Sequence, residues 1–383
     1  MSDRIAIIGI GATRFSSISP DVSYKEMMFE AAVKAYRDAG VDPRKDVDTF
    51  VTSSEDYIEG TSIVDEYVPD QLGAILKPVQ TIAGDGLHGL FTAAMLLRTG
   101  QFGIAAVEAH SKASNILTPD GISASAQDPV FMRPLGLNSN FIAGLEMNRF
   151  CSEFDIGLDQ CARVVIKNRA NALLNPLAAH GTELTLADFE NSPPVALPLT
   201  ELDIAAPADG AVVIVLATEE RALTLDCDPV WLTGMGWCNG SSDLGSRDWA
   251  LPEYVARAGE MAFAMAGVRN PRGFLDFAEL DDTFSYKELQ HLAALGLCPA
   301  DQVGDWVAGG ATAPDGELPV NLSGGALGMG HMHEAGGLAR LYCAVQQLRG
   351  TAGTAQLEEL ESCLVQAWRG LPTASAAVAL LEV

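Results

Sequence analysis

Two short segments of this 383-residue chain share one pattern 227 to 228 positions apart, and no other feature constrains its fold as tightly. Ala39-Gly40-Val41 is followed by Pro43-Arg44 and Asp48; Ala266-Gly267-Val268 is followed by Pro271-Arg272 and Asp276. Each segment ends a helical stretch, Ser23 to Asp38 and Pro252 to Met265, and precedes an apolar run that reads as a strand. Each helix in turn follows a strand with paired glycines, Ile5-Ala6-Ile7-Ile8-Gly9-Ile10-Gly11 and Val230-Trp231-Leu232-Thr233-Gly234-Met235-Gly236. One repeat of that length in a chain of this size means two related halves, not a solenoid. Short apolar strands alternating with amphipathic helices predict α/β units around a mostly parallel sheet.

Between the halves the texture changes. Pro119-Asp120-Gly121, Pro129, Pro134, Asn175-Pro176 and Pro193-Pro194 mark a loop-rich insertion carrying one clear helix, Leu158 to Leu174. Strand character returns at Ala211-Val212-Val213-Ile214-Val215-Leu216, a continuous apolar run of the kind buried in a parallel sheet. The expected division is residues 1–115 plus 206–222 for the first half, 116–205 for the insertion and 223–383 for the second half.

Charge narrows the function. The net charge is −26 and the pI near 4.4, so the surface repels phosphate backbones and anionic lipid. Nucleic-acid and membrane-surface roles are set aside, and no apolar run approaches the roughly 20 residues of a membrane span. Met1-Ser2-Asp3-Arg4 leads directly into a strand and lacks a signal-peptide pattern. The seven cysteines, Cys151, Cys161, Cys227, Cys238, Cys298, Cys343 and Cys363, are scattered without a Cys-x-x-Cys pair. That argues against a disulfide framework and a zinc site, and predicts a reduced, cytoplasmic, soluble protein.

Gly9-Ile10-Gly11 lacks the third glycine of a dinucleotide fingerprint, Arg14 standing in its place, and reads as a tight strand-to-helix turn. The segment Asn321-Leu322-Ser323-Gly324-Gly325-Ala326-Leu327-Gly328-Met329-Gly330-His331-Met332-His333 is more unusual. So much glycine lets backbone approach a ligand while an imidazole points into the same space. The plainer reading is a glycine turn with one surface and one core histidine. His331 and His333 lack a nearby third ligand, so no metal is expected. His88, His110, His180 and His291 have no motif around them and read as structural or surface residues.

These residues resemble the thiolase superfamily, in its sterol-carrier-type and archaeal-like branch. Asn321-Leu322-Ser323-Gly324-Gly325 with Gly330-His331 is similar to the family's asparagine-x-serine-glycine-glycine and glycine-histidine motifs. Asp281-Asp282-Thr283-Phe284, with Glu288-Leu289, is similar to its histidine-aspartate-x-phenylalanine segment. Pro207-Ala208-Asp209-Gly210-Ala211 resembles the strand that closes the first half, and Asn168 to Pro176 a helix end in the insertion. The resemblance implies the thiolase fold, a duplicated five-layered αβαβα arrangement with an inserted loop region.

Departures from the family decide the chemistry. The nucleophilic cysteine position falls on Ala83-Gly84-Asp85-Gly86, and no cysteine stands between Met1 and Phe150. Near the C-terminus, Gly370-Leu371-Pro372-Thr373-Ala374-Ser375 lacks the second cysteine, and the nearest, Cys363, reads as part of a helix-like stretch. The ordinary acyl-enzyme route is therefore closed. What remains implies enolate chemistry on a CoA thioester. His331 and helix-start amides near Gly84 and Gly330 would hold the carbonyl oxygen, with His333 a further catalytic residue beside them. Asp281 would move a proton if burial raises its pKa towards neutrality. Ser323, Gly324 and Gly325 would shape the substrate site. Arg163 and Lys167, four apart on one helix, either meet CoA phosphates or form an ordinary solvated face.

Retro-aldol cleavage of a β-hydroxyacyl-CoA is the favoured expectation, because Gly328 to Gly337 and the Leu371–Ser375 ending resemble the thiolase-fold steroid side-chain aldolases. Their active-site tyrosines correspond to Asp281 and His331, which puts their proton-transfer scheme in doubt here. Thiolytic cleavage of a β-oxoacyl-CoA such as 2-benzoylsuccinyl-CoA is the alternative, and a non-catalytic thiolase-like subunit the third. No covalently bound cofactor is expected, coenzyme A entering with the substrate. The resemblance also implies a homodimer through the strand carrying Ile104-Ala105-Ala106-Val107-Glu108, and a small oligosaccharide-binding-fold, zinc-ribbon partner on each protomer.

Overall fold

The computed structural model describes residues 4–55, 63–116, 118–125, 127–241, 243–370 and 374–383. Residues 1–3 and 371–373, which enter the readings of the N-terminus and of the C-terminal turn, lie outside them. Among the described residues one nine-stranded sheet is built from β1 (Ile5–Ala12), β2 (Thr49–Ser53), β3 (Val79–Ile82), β4 (Ile104–Lys112), β5 (Asp209–Thr218), β6 (Val230–Asn239), β7 (Phe277–Glu279), β8 (Ser362–Arg369) and β9 (Ser375–Glu382). Their spatial order is β3-β2-β4-β5-β1-β6-β9-β8-β7. The order reads alike outward from the central β1–β6 pair: in each half the last strand lies beside the first.

The helices repeat in the same way. α1 (Tyr24–Ala39) follows β1, α2 (Gly86–Arg98) follows β3, and the insertion contributes α3 (Ser139–Phe154) and α4 (Leu158–Ala172). In the second half come α5 (Glu253–Ala266), α6 (Ser285–Ala294), the short α7 (Gly325–Met329) and α8 (Gly336–Leu348). Ser23 starts α1 with a reciprocal Ser23–Glu26 capping box. α1 and α5 both end on a left-handed glycine, Gly40 at φ +67° and Gly267 at φ +72°. The next amide returns to the helix in each case, Val41 N to Tyr36 O at 3.0 Å and Val268 N to Phe263 O at 2.9 Å. The repeated Ala-Gly-Val is thus a helix stop used twice.

The strand glycines have a different task from the one expected of them. Gly9 and Gly11 lie within β1 under α1, and Gly234 and Gly236 within β6 under α5. A Cβ on Gly11 would stand 2.1 Å from Ala31 O, and one on Gly236 2.0 Å from Ala258 O. They set the distance between helix and sheet; the strand-to-helix turn expected at Gly9-x-Gly11 is instead a close-packing site.

Burial separates five layers. Ala6 and Ile8 of β1, with Val213 and Val215 of β5, pack under α1 on one outer side. Alternate residues of the same strands, Ile7 and Ile214, face inward with Val365 and Ala379 of the other half, onto Leu87 and Leu90 of α2 and Leu338 and Leu341 of α8. The opposite outer face of β8 and β9, Leu364, Val378 and Leu380, is covered by α5, α6 and the insertion helices.

Four expectations are corrected. The sheet is mixed, with three parallel pairs against five antiparallel ones. Both closing strands, β5 and β9, run antiparallel to each neighbour, and their apolar runs reflect burial on both faces rather than parallel pairing. The insertion holds a second long helix, α3, whose exposed Phe141 and Leu145 blur its amphipathic pattern. Cys363 lies in β8, not in a helix. The strand expected to carry a dimer, β4, is hydrogen-bonded on both sides, to β2 and β5; the sheet ends instead at β3.

Candidate active site

The site forms where β7, β8, α2 and α8 converge beside the Gly330–His333 turn. Asp281, two residues past β7, is held from four directions. Its carboxylate accepts from Arg340 Nη2 at 2.7 Å and from Thr283 N at 3.1 Å. Its amide donates to Gln366 Oε1 at 2.8 Å, and its carbonyl lies 2.9 Å from His291 Nδ1. Arg340, fully buried on α8, also donates through Nε to Gln366 O at 3.1 Å. Burial pushes the Asp281 carboxyl up, but the Arg340 guanidinium, then His291 and Thr283, outweigh it and hold it below its usual value. The expectation of an Asp281 raised to neutrality is therefore corrected. An ionised carboxylate with such partners orients its surroundings and is a poor proton carrier.

His331 and His333 share one half-buried corner, their rings 4.7 Å apart edge to face. His331 Nδ1 lies 3.5 Å from Thr283 Oγ1, which leaves Nε2 as the nitrogen for a ligand. Burial holds His331 below its usual pKa, and burial with the neighbouring imidazole pushes His333 down to about 3. Both rings are neutral at pH 7, donors or acceptors without net charge. Gly330, at φ +112°, makes this approach possible, since a Cβ there would stand 2.4 Å from Ala208 Cβ. Its amide is spent on Ala326 O at 2.9 Å, so it shapes the site and is not the oxyanion donor expected of it.

The helix start after Gly84 is occupied by the chain itself. Asp85 caps α2, accepting from Leu87 N at 2.8 Å and, across the layer, from Gly337 N of α8 at 2.9 Å. One amide of this helix start, Leu87 N, is thus engaged by a carboxylate. Burial raises Asp85 to about 6 against the pull of Arg340. Glu279 and Asp282 are raised to about 7, Glu279 by burial and Asp282 by burial and the neighbouring Glu288 and Asp281 carboxylates.

Ser323, Gly324 and Gly325 are buried and committed internally. Ser323 donates to Glu279 through both its hydroxyl and, at 3.0 Å, its amide; Gly324 packs on Ala172 and Gly325 on Asp282. They build the floor rather than touch a substrate. Lys167 turns inward to Val320 O and Asn168 Oδ1, both at 2.6 Å, and to Glu288 at 3.2 Å, while Arg163 stays exposed. The two do not act as one cationic face. Among the described residues no group of three or more His, Cys, Asp or Glu is arranged to hold a metal ion.

Sequence reasoning missed Arg340, Gln366, His291 and the hydroxyl of Thr283. A lone arginine in Leu338-Ala339-Arg340-Leu341 was the available signal, since an apolar helix face tolerates a cation only beside a buried anion.

Residues 239–382 match the family model described as Thiolase C-terminal domain-like. The chain is 29% identical over 365 residues to an acetyl-CoA acetyltransferase of Methanothermobacter thermautotrophicus, covering 93% of this chain and 94% of that one. It is equally 29% identical over 385 residues to a steroid side-chain-cleaving aldolase of Thermomonospora curvata, covering 96% of each. Among solved structures, the Ltp2-ChsH2(DUF35) aldolase superposes with a TM-score of 0.86 at 27% identity, covering 100% of this chain and 98% of that one. With the repeated α/β halves and the Asn321–His331 turn already described, these likenesses support the chain as a member of the thiolase superfamily.

Proposed function

We propose that the chain cleaves the Cα–Cβ bond of a β-hydroxyacyl-CoA by a retro-aldol step that forms no acyl-enzyme. The observation that carries this reading is a pair of neutral, half-buried imidazoles at a site whose nucleophile position holds a fully engaged aspartate. No thiol substitutes for it. Cys343 and Cys363 are buried, burial pushes both thiols well up, and Cys343 lies 3.8 Å from Met329 Sδ. His331 donates through Nε2 to the thioester oxygen and stabilises the enolate left when the bond breaks. Thr283, whose amide is held by the Asp281 carboxylate, meets the His331 ring at Nδ1, and Ala206 O and Ala208 N hold the His331 backbone.

The likeness to an aldolase solved with a DUF35 partner supports a partner-dependent enzyme. So do exposed apolar side chains on the insertion, Val130 at 67%, Phe131 at 78% and Leu135 at 61%. With a net charge of −26 and Lys167 turned inward, cationic contacts for CoA phosphates come from Arg163 or from that partner. A homodimer, where formed, would use the β3 edge. Thiolytic cleavage of a β-oxoacyl-CoA, with free CoA attacking directly, is the second reading, favoured by the likeness to an acetyltransferase.

The test is to incubate the chain, with and without a DUF35-type partner, with β-hydroxyacyl- and β-oxoacyl-CoA. Aldehyde or ketone released without added CoA supports the lyase. Release that requires CoA overturns it in favour of thiolysis.

A further inference from the structure

The proton-carrying role that Asp281 cannot fill has a candidate beside the start of α2. Ser53, at the end of β2, packs against α2, where a Cβ on Gly89 would stand 2.3 Å from Ser53 Oγ. Strand alternation places Glu55 on the same side, towards the layer of α2 and α8. Arg369, the last residue of β8, continues the face of Cys363, Val365 and Ala367, which line that same layer. Its guanidinium forms an ion pair with Glu55. The two side chains therefore meet from the carboxyl ends of strands in opposite halves, across the layer in which α2 and α8 begin.

Glu55 is 3% exposed, and apart from this ion pair neither carboxylate oxygen has a hydrogen-bond donor among the described residues. The hydroxyls of Ser53 and Ser54 and the Nδ1 of His88 are also buried without a partner among the described residues. That His88 nitrogen lies 3.5 Å from the place a Cβ on Gly84 would occupy, so these atoms border the start of α2. The contrast with Asp85 and Asp281 is sharp, since each oxygen of those two carboxylates is hydrogen-bonded. A buried carboxylate left short of donors in a native structure calls for a ligand that supplies one.

We infer that Glu55 is the catalytic proton carrier, taking the hydrogen of the substrate's β-hydroxyl and returning it to Cα. The inference rests on the retro-aldol reading above. In that step the O–H bond breaks and its proton passes to Glu55, while the oxygen's electron pair forms the new carbonyl. The Cα–Cβ electrons move into the enolate of the shortened thioester, whose oxygen His331 holds. The Glu55 carboxylic acid then protonates Cα, restoring the carboxylate, with no external oxidant, reductant or acid. Arg369 holds the carboxylate in place throughout.

The experiment compares wild type, Glu55→Gln, Glu55→Asp, Glu55→Ala and His331→Ala in the full chain with its partner. Two readouts are followed: cleavage of 3-hydroxybutyryl-CoA, and exchange of the α-protons of acetyl-CoA in D2O by NMR. Expected is a fall in kcat of about 10²–10⁴ for Glu55→Gln with KM changed little and an unchanged melting temperature. Formate should partly restore Glu55→Ala. If Glu55→Gln does not fold, Glu55→Asp, which keeps the charge, decides: a loss of tenfold or more in kcat supports the role, and unchanged kcat overturns it. Glu55→Gln active within threefold of wild type while His331→Ala is impaired overturns the Glu55 assignment and leaves the retro-aldol reading standing. Wild type silent in both cleavage and exchange overturns that reading and Glu55 with it.

Discussion

Replacing Asp281 by asparagine tests whether this carboxylate moves protons or holds the site together. Its Oδ2 lies 2.7 Å from Arg340 Nη2, the two side chains being 5% and 1% exposed. Asparagine either turns an NH2 group on the guanidinium, donor against donor, or gives up the bond from Thr283 N. Removing one partner of a buried pair costs about 3–5 kcal/mol, because the other charge stays behind. Some of that is recovered here, since the Asp281 charge also crowds the neighbouring Asp282 carboxylate, while Arg340 keeps Asp85, Asp282 and Glu279 as remaining counter-charges. At about 2–4 °C per kcal/mol for a large domain, the melting temperature should fall by roughly 5–15 °C. Chemical denaturation gives the stability, and kinetics well below the melting range give the turnover. Turnover per folded molecule should drop less than about tenfold, with the pH dependence of kcat unchanged. A variant that melts like wild type yet loses about 10²–10⁴ in kcat, together with one limb of its pH profile, would refute the reasoning and restore Asp281 as the acid/base.

Other outcomes follow from the same geometry. His331→Ala should lower kcat by about 10²–10³ with little change in KM, the mark of a donor that strengthens as charge develops; steady-state kinetics check it. Alanine at any of the seven cysteines should leave turnover within a few-fold, and a dead but folded cysteine variant would rule out the non-covalent route. Asp85, Glu279 and Asp282 have folded-state pKa values raised to about 6, 7 and 7, so the folded protein binds their protons more tightly than the unfolded chain. Their stabilisation is complete below about pH 4 and is lost as pH rises through 6 to 7. Asp281, with its pKa lowered, contributes in the opposite sense, above its unfolded value and not below it. The melting temperature should fall between pH 5 and pH 8, and Glu279→Gln should flatten the fall; a Tm that rises over this range counts against the buried cluster.

Much of the architecture was legible because its signals are local. The left-handed stops at Gly40 and Gly267, and the glycine pairs under α1 and α5, leave marks in the residues themselves. Strand direction left none: the apolar run in β5 records burial on both faces and is silent about its neighbours' sense. At the site, motif likeness pointed to Asp281 and His331, but their roles depend on long-range partners. Arg340, 59 residues from Asp281, lowers the pKa that burial alone would raise, and Gln366, 85 residues away, holds the Asp281 amide. Lys167 misled for a related reason. Four residues from Arg163 it looks like half of a surface pair, yet its flexible stem bends the ammonium inward to Val320 O.

The shared middle layer also governs the order in which this chain becomes a protein on the ribosome. α2 comes from the first half and α8 from the second, and Asp85 joins their starts across 252 residues of sequence. The inner faces of β1, β4 and β5 wait for Leu338 and Leu341 before they are covered. Despite its duplication, the fold cannot be completed one half at a time during synthesis. The nascent first half emerges with an apolar face open for as long as translation takes to deliver α8, roughly 6–24 s for the about 120 residues after β5 at about 5–20 residues per second. Chaperone occupancy during elongation, rather than after release, is the cost of building one core from two ends of a chain.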